Sequence, residues 1–155
     1  MHANATLLQQ LFTALNQHDH EAMARCYQPD ATFRDIAFDL DGMKQIHAMW
    51  HMISESDLRA TFEIVDAGDD AGTAKLVDDY TLSLTGRPVH NVIESHFRFR
   101  DGLIAEHRDE CDPAAWAAMA LGGPTGFIAG RVRFLRSQKA AATLRAFIAE
   151  HPEYQ

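Results

Sequence analysis

His96-Phe-Arg-Phe-Arg-Asp-Gly-Leu-Ile-Ala-Glu-His-Arg-Asp-Glu-Cys111 reads as two extended runs around Asp101-Gly102, a pair suited to a tight antiparallel hairpin. Alternation along the second run puts Leu103, Ala105, His107 and Asp109 on one face. A row that begins apolar and ends in an imidazole and a carboxylate raises the question of what that face meets.

Outward from this hairpin the same extended period recurs. Runs at 59–67, 72–85, 88–100 and 103–111 are separated by Gly68-Asp-Asp-Ala-Gly72, Gly86-Arg-Pro88 and Asp101-Gly102, each of which is turn chemistry. Upstream the period is helical. Leu7, Leu8, Leu11 and Leu15 predict a helix over 4–17, and Asp19 caps a short second one carrying Ala22, Met23 and Cys26. Pro29-Asp30 ends it, Ala31 to Asp35 reads as a short strand, and Gly42 leads into a third helix with Ile46, Met49, Trp50 and Ile53. Helices first and a meander last make an α+β layout, with helices on one face of an antiparallel sheet.

Residues 112–155 form a C-terminal helical extension. Asp112-Pro113 gives an N-cap and a proline at the first helical position, and Gly122-Gly123 gives the stop. Beyond Pro124 a second helical stretch carries Phe127, Ile128, Val132, Leu135, Leu144, Phe147 and Ile148 among Arg131, Arg133, Arg136, Lys139 and Arg145. Two roles are open to it: covering the mouth or an edge of the body while burying Phe127, Phe134 and Phe147, or offering a basic face to an acidic partner or lipid. Covering is favoured, because scattered basic residues are usually a solvated helix face.

With 155 residues the chain has the length of one ordinary domain, and 46% hydrophobic against 23% charged residues is a globular composition. A net charge of -8 opposes phosphate backbones, so no nucleic-acid partner is expected. The charge is uneven: 1–111 carry 9 basic and 19 acidic residues, 112–155 carry 5 and 3. Residues 114–130 are uncharged, but glycines and a proline interrupt them and they fall short of the roughly 20 apolar residues of a membrane span. No membrane partner is expected. Two cysteines and an N-terminus without a signal-peptide layout point to a reduced cytoplasm.

The strings Ala14-Leu-Asn-x-x-Asp19, Asp30-Ala-Thr-Phe-Arg-Asp35, Gly42 at the third helix and His96-Phe-Arg-Phe-x-x-Gly102 resemble the ketosteroid-isomerase and SnoaL-like cyclase branch of the nuclear transport factor 2-like superfamily. The resemblance spans roughly residues 5–111. It implies a cone, a curved antiparallel sheet wrapped around the N-terminal helices and enclosing a blind apolar pocket, usually in a dimer. The cone domain is then 1–111 and the extension, packed on it, 112–155. Because this fold hosts isomerases, dehydratases, cyclases, epoxide hydrolases and non-catalytic domains, function has to be argued from the site.

The resemblance places Asp35 on the isomerase's aspartate base, whereas the isomerase's enolate-holding tyrosine and acid correspond to Leu11 and Ser95. Leucine donates no hydrogen bond, so this is not a typical ketosteroid isomerase. Strand parity puts Ile93, Ser95 and Phe97, then Ala105, His107 and Asp109, inside the pocket. The long strand contributes Asp78, Tyr80 and Leu82, and Trp50 closes the wall. The expected catalytic set is Asp35 as base, His107 as acid and Asp109 as its orienter, with Leu11, Trp50, Asp78, Tyr80, Leu82, Ser95 and Phe97 around the substrate. A fungal dehydratase of the superfamily works with an aspartate-histidine pair, and SnoaL-like cyclases use a late-strand aspartate, for which Asp109 is the positional candidate.

Each residue also has a plainer role. His107 and Asp109 could be a wet polar pair at a strand end, and Asp35 could simply cap a turn. His47 and His51 share a helix face but lack the glutamate of a His-Glu-x-x-His site, so no metal is expected. His90 and His96 fall on the outer sheet face, which the resemblance assigns to homodimer formation. The expectation is an enzyme of the cyclase, isomerase or dehydratase type, cofactor-independent, acting on a compact apolar carbonyl or hydroxyl compound. The alternative is a non-catalytic module that binds a hydrophobic ligand or dimerises.

Overall fold

The computed structural model describes residues 1–122 and 129–155, with side chains described outside 129–136. Its order is α1 (Ala3–Asn16), α2 (His20–Ala24), β1 (Tyr27–Arg34), β2 (Asp39–Asp41), α3 (Met43–Ser54), β3 (Arg59–Ala67), β4 (Ala71–Leu82), β5 (Arg87–Arg100), β6 (Leu103–Cys111), α4 (Pro113–Leu121) and α5 (Ala129–Glu150), with a 3-10 turn at Pro152–Tyr154. Mixed helices and one curved, unclosed sheet make the α+β cone expected from the sequence.

The caps act as the residue types dictate. Asp19 accepts from the Ala22 amide at 3.0 Å, and Asp112 accepts from those of Ala114 and Ala115 at 2.9 and 3.3 Å. Asp101 and Gly102 both have positive φ, 52° and 77°, the conformation a two-residue hairpin turn requires.

The six strands lie in the order β2-β1-β6-β5-β4-β3. The β3 to β6 meander is antiparallel, but β1 runs parallel to β6, with Phe33 beside His107. β1 begins at Tyr27, four residues before the strand read from sequence, and continues through Pro29-Asp30; Asp35 lies just past its end. Pro29 is tolerated because the ladder to β6 is interrupted between Tyr27 and Thr32.

A bulge corrects the inward row proposed for β6. Between the pairs Arg98–Glu106 and Phe99–Ile104 the second strand carries one extra residue, Ala105. Ile104 is therefore the buried residue of this stretch, opposite inward-facing Phe99, and the face does not run through Leu103 and Ala105. Past the bulge alternation resumes, and His107 and Asp109 sit beside inward-facing Phe97 and Ser95.

The core lies between the concave sheet face and α1 to α3, around Leu8, Leu11, Phe12, Met23, Phe33, Ile46, Met49 and Ile104. A second small cluster joins α4 to β5 through Val89, Trp116, Ala117 and Ala120. Leu144 and Phe147 of α5 are buried in the main core. Phe127 and the side chain of Phe134, expected to be buried with Phe147, lie outside the described residues. No described helix is long and apolar enough to cross a membrane.

Candidate active site

The concave face, α3 and the C-terminal helices enclose a cavity of about 950 Å³, in the size range of small-molecule sites. Its wall is largely apolar, with Phe12, Phe33, Trp50, Leu76, Leu82, Ile93 and Trp116. Asp35, Asp78, Asn91, His107 and Asp109 supply polar groups, and Gln138, Lys139, Ala140 and Thr143 of α5 border it.

His107 and Asp109 are not a wet strand end. The imidazole is 1% exposed, and Nε2 donates to Asp109 Oδ1 at 2.8 Å. Its Nδ1 is 2.8 Å from the Tyr27 hydroxyl, which in turn accepts from Trp50 Nε1 at 3.3 Å. An indole nitrogen only donates, so the Tyr27 oxygen accepts and its own proton goes to Nδ1. That fixes the tautomer with the ring proton on Nε2, aimed at Asp109. Ser95, fully buried, donates to the same carboxylate oxygen at 2.5 Å. With both nitrogens engaged, His107 offers no lone pair to a metal or a substrate. It is a positioning residue, and Asp109, at 14% exposure, is the end of the network that borders the cavity.

Asp78 stands in the opposite condition. Its Oδ1 is buried with no hydrogen-bond partner. Burial first, then the negative charges of Asp109, Asp79 and Asp35, push its carboxyl up to about 7. A carboxyl in that state keeps its proton, and can donate a hydrogen bond, up to about neutral pH, which is what an apolar pocket does to an unpaired acid. Its neighbour Asp79 points outward and pairs with His90 at 2.6 Å, so the two adjacent aspartates face opposite sides as strand alternation demands.

The remaining expected residues divide. Trp50, Tyr80 and Leu82 border the cavity, and the Tyr80 hydroxyl accepts from Trp116 Nε1 at 2.8 Å, tying α4 to the rim. Leu11, Ser95 and Phe97 do not line it. Leu11 is fully buried because α1 turns that side into the core, Ser95 lies behind Asp109, and the Phe97 ring packs 4.4 Å from the His107 ring. Asp35 borders the cavity, but its Oδ1 accepts from the amides of Ala37 and Phe38 at 2.7 and 2.5 Å, so it also caps the turn after β1. His90 and His96 lie outside with Asp79 and Glu94, while His47 and His51, paired on α3, have separate partners.

Tyr27 is the polar residue the sequence reading missed. Buried and without a nearby counter-charge, its phenol is raised well above the usual range, chiefly by burial, so it stays a donor. The available signal was Tyr27, Ala31 and Phe33 recurring on one face, obscured by reading Pro29-Asp30 as a terminator.

Structural likeness extends to proteins of differing names. The candidate polyketide cyclase IdmH from Streptomyces antibioticus matches at 24% identity over 76% of this chain and 98% of its own, with a TM-score of 0.63. An LEH-like epoxide hydrolase of M. tuberculosis matches at 16% identity, 84% and 96% coverage and a TM-score of 0.64. A computationally designed 17-OHP binder matches at 17%, 70% and 91%, with a TM-score of 0.62. At these identities the likeness shows the fold. No curated protein sequence matches. The SnoaL-like domain profile matches residues 8–107, almost the whole of the cone that holds Asp78 and His107, and the chain belongs to that SnoaL-like family.

Proposed function

We propose that the protein is an acid–base enzyme of the cyclase, isomerase or dehydratase kind, acting on a compact, neutral, largely apolar carbonyl or hydroxyl compound. The observation that carries this is one cavity holding two aspartates in opposite conditions: Asp109 bonded by two donors, and Asp78 unpaired and raised to about 7. Asp109, held by donors, suits a base, and Asp78, raised by burial, suits an acid. Asp109 takes the base role expected of Asp35, whose oxygen holds a turn. Asp78 takes the acid role expected of His107.

With a carbonyl substrate, Asp109 removes a proton from the α-carbon. The C–H bond breaks, an O–H bond forms on Asp109, and the electron pair moves onto the carbonyl oxygen, which Asp78 stabilises by donating its hydrogen bond. The enolate then attacks a second carbonyl, whose oxygen takes the proton held by Asp109, or expels a β-hydroxyl that leaves with that proton as water, or takes the proton back at another carbon; each route returns Asp109 to its starting state. Asp35, Asp109 and Glu110 against Lys139 on the lining disfavour anionic substrates.

The test uses 2-tetralone as a compact apolar ketone, with NMR detection of α-hydrogen exchange in deuterium oxide. Exchange above the buffer rate in wild type, falling at least 100-fold in D109N while tetralone still binds, is the expected outcome. Saturable binding with no exchange above buffer would favour the non-catalytic ligand-binding module.

A further inference from the structure

Away from the cavity, α2, α3 and the last residues of the chain bring four histidines together. His20 Nδ1 meets His47 Nε2 at 2.8 Å, the rings of His20 and His51 stack at 3.9 Å, and those of His51 and His151 meet edge-on at 5.0 Å. One ligand atom from each of His51, His151 and Glu153 lies within 4.8 Å of the others. Sequence spacing weighed only His47 with His51, because the other ligands are about a hundred residues away.

The hydrogen bonds sort the nitrogens. His151 Nδ1 donates to the Phe147 carbonyl at 2.7 Å, and His51 Nδ1 bonds the Tyr154 hydroxyl at 2.9 Å. Each imidazole is thus held through Nδ1, as a metal-bound histidine is oriented by a carbonyl or hydroxyl partner. On His51 the other nitrogen, Nε2, lies 3.7 Å from the Glu55 carboxylate. Ligand atoms around tetrahedral zinc stand about 3.4 Å apart, given Zn–N bonds of about 2.0–2.1 Å. Closing from 4.8 Å asks a swing of little more than about 1 Å, which exposed Glu153 on a short 3-10 turn is free to make.

We propose that His51, His151 and Glu153 form a binding site for a divalent transition metal, zinc by preference, with the fourth position left to water. One ligand belongs to α3 and two follow α5, so the ion would pin residues 151–153 to α3. The same C-terminal segment leads back through α5 to Gln138, Lys139, Ala140 and Thr143 at the cavity rim. Metal occupancy would steady that rim without entering the cavity. This proposal is independent of the acid–base reading.

The experiment uses untagged full-length protein, stripped with EDTA, titrated with ZnCl2 and analysed for retained metal after gel filtration. Carboxypeptidase trimming of the C-terminus is followed in parallel. One zinc per chain is expected, with trimming slowed at least threefold and affinity reduced at least tenfold in both H151Q and E153Q. Because Glu153 is exposed, E153Q keeps the fold, which circular dichroism verifies. H96Q serves as a control, since His96 also stands near two carboxylates, Glu94 and Glu110, at 3.0 and 3.8 Å. No retained zinc, undiminished binding in E153Q, or loss in H96Q instead would each overturn the proposal.

Discussion

The two inward aspartates of the sheet are chemically the same residue in opposite circumstances. Asp109 on β6 is met by Ser95 and His107, and His107 is braced by Tyr27 and Trp50. Asp78 on β4 has an oxygen that meets nothing. What separates them is the supply of donors, and the difference teaches that the surrounding wall decides what a carboxyl can do. Donors hold Asp109 in place as an acceptor, whereas burial and nearby acidic groups push Asp78 toward its protonated form.

The largest effect that would break this contrast is removal of the acceptor. D109N should lower the rate of α-hydrogen exchange by about 10²–10⁴-fold, the usual worth of a positioned base, measured with 2-tetralone by NMR. A loss of less than tenfold would move the base elsewhere.

The second test addresses Asp78 through stability. Its carboxyl is raised from 3.8 to about 7, so between those values the folded state holds a proton that the unfolded chain has released. The contribution of Asp78 to stability therefore falls as pH rises from about 4 to about 7, and the cost is complete above that. D78N has no such proton. It should match wild type near pH 4 and be more stable by on the order of 4 kcal/mol at pH 8, at about 1.4 kcal/mol per pKa unit. Urea unfolding at the two pH values reads this; parallel curves would mean that Asp78 is solvated. The same carboxyl predicts that exchange declines as pH rises above about 7.

Smaller effects sharpen the donor-rich side. Y27F leaves the Trp50 indole and His107 Nδ1 unpaired in a buried site and should cost about 2–3 kcal/mol. It should also release the imidazole tautomer, visible in the ring nitrogen shifts. S95A removes one donor from Asp109 and should cost about 1–2 kcal/mol in the same denaturation assay. Outside the cone, D79N breaks the exposed pair with His90 and should change stability by no more than about 0.5 kcal/mol. A larger loss would reveal coupling through the sheet.

The fold was legible where its causes are local. Asp-Gly hairpins, aspartate caps and the change from helical to alternating period each act within a few residues, so the meander and the helices fell close to their expected bounds. His107 and Asp109 were legible for the same reason, as alternate residues on one strand. Non-local causes left no such mark. Parallel pairing of β1 with β6 joins segments about 75 residues apart, so Tyr27 could not be matched to His107 by spacing. The bulge at Ala105 has no compositional signal, and counting straight through it put the wrong residues on the inner face. Leu11, Ser95 and Phe97 were expected around the substrate, but the inside of a filled cone includes a layer behind the cavity wall, and they lie in it.

The indole of Trp50 has a proton to give and no lone pair to receive one, and the whole file behind Asp109 inherits that direction. Every site deeper than the carboxylate already points its hydrogen toward it. A proton captured at Asp109 therefore meets a dead end on the protein side, and its way out is the cavity it came from, to the ligand or to the water beside it. Whatever chemistry the pocket performs, its acid–base traffic is one-sided.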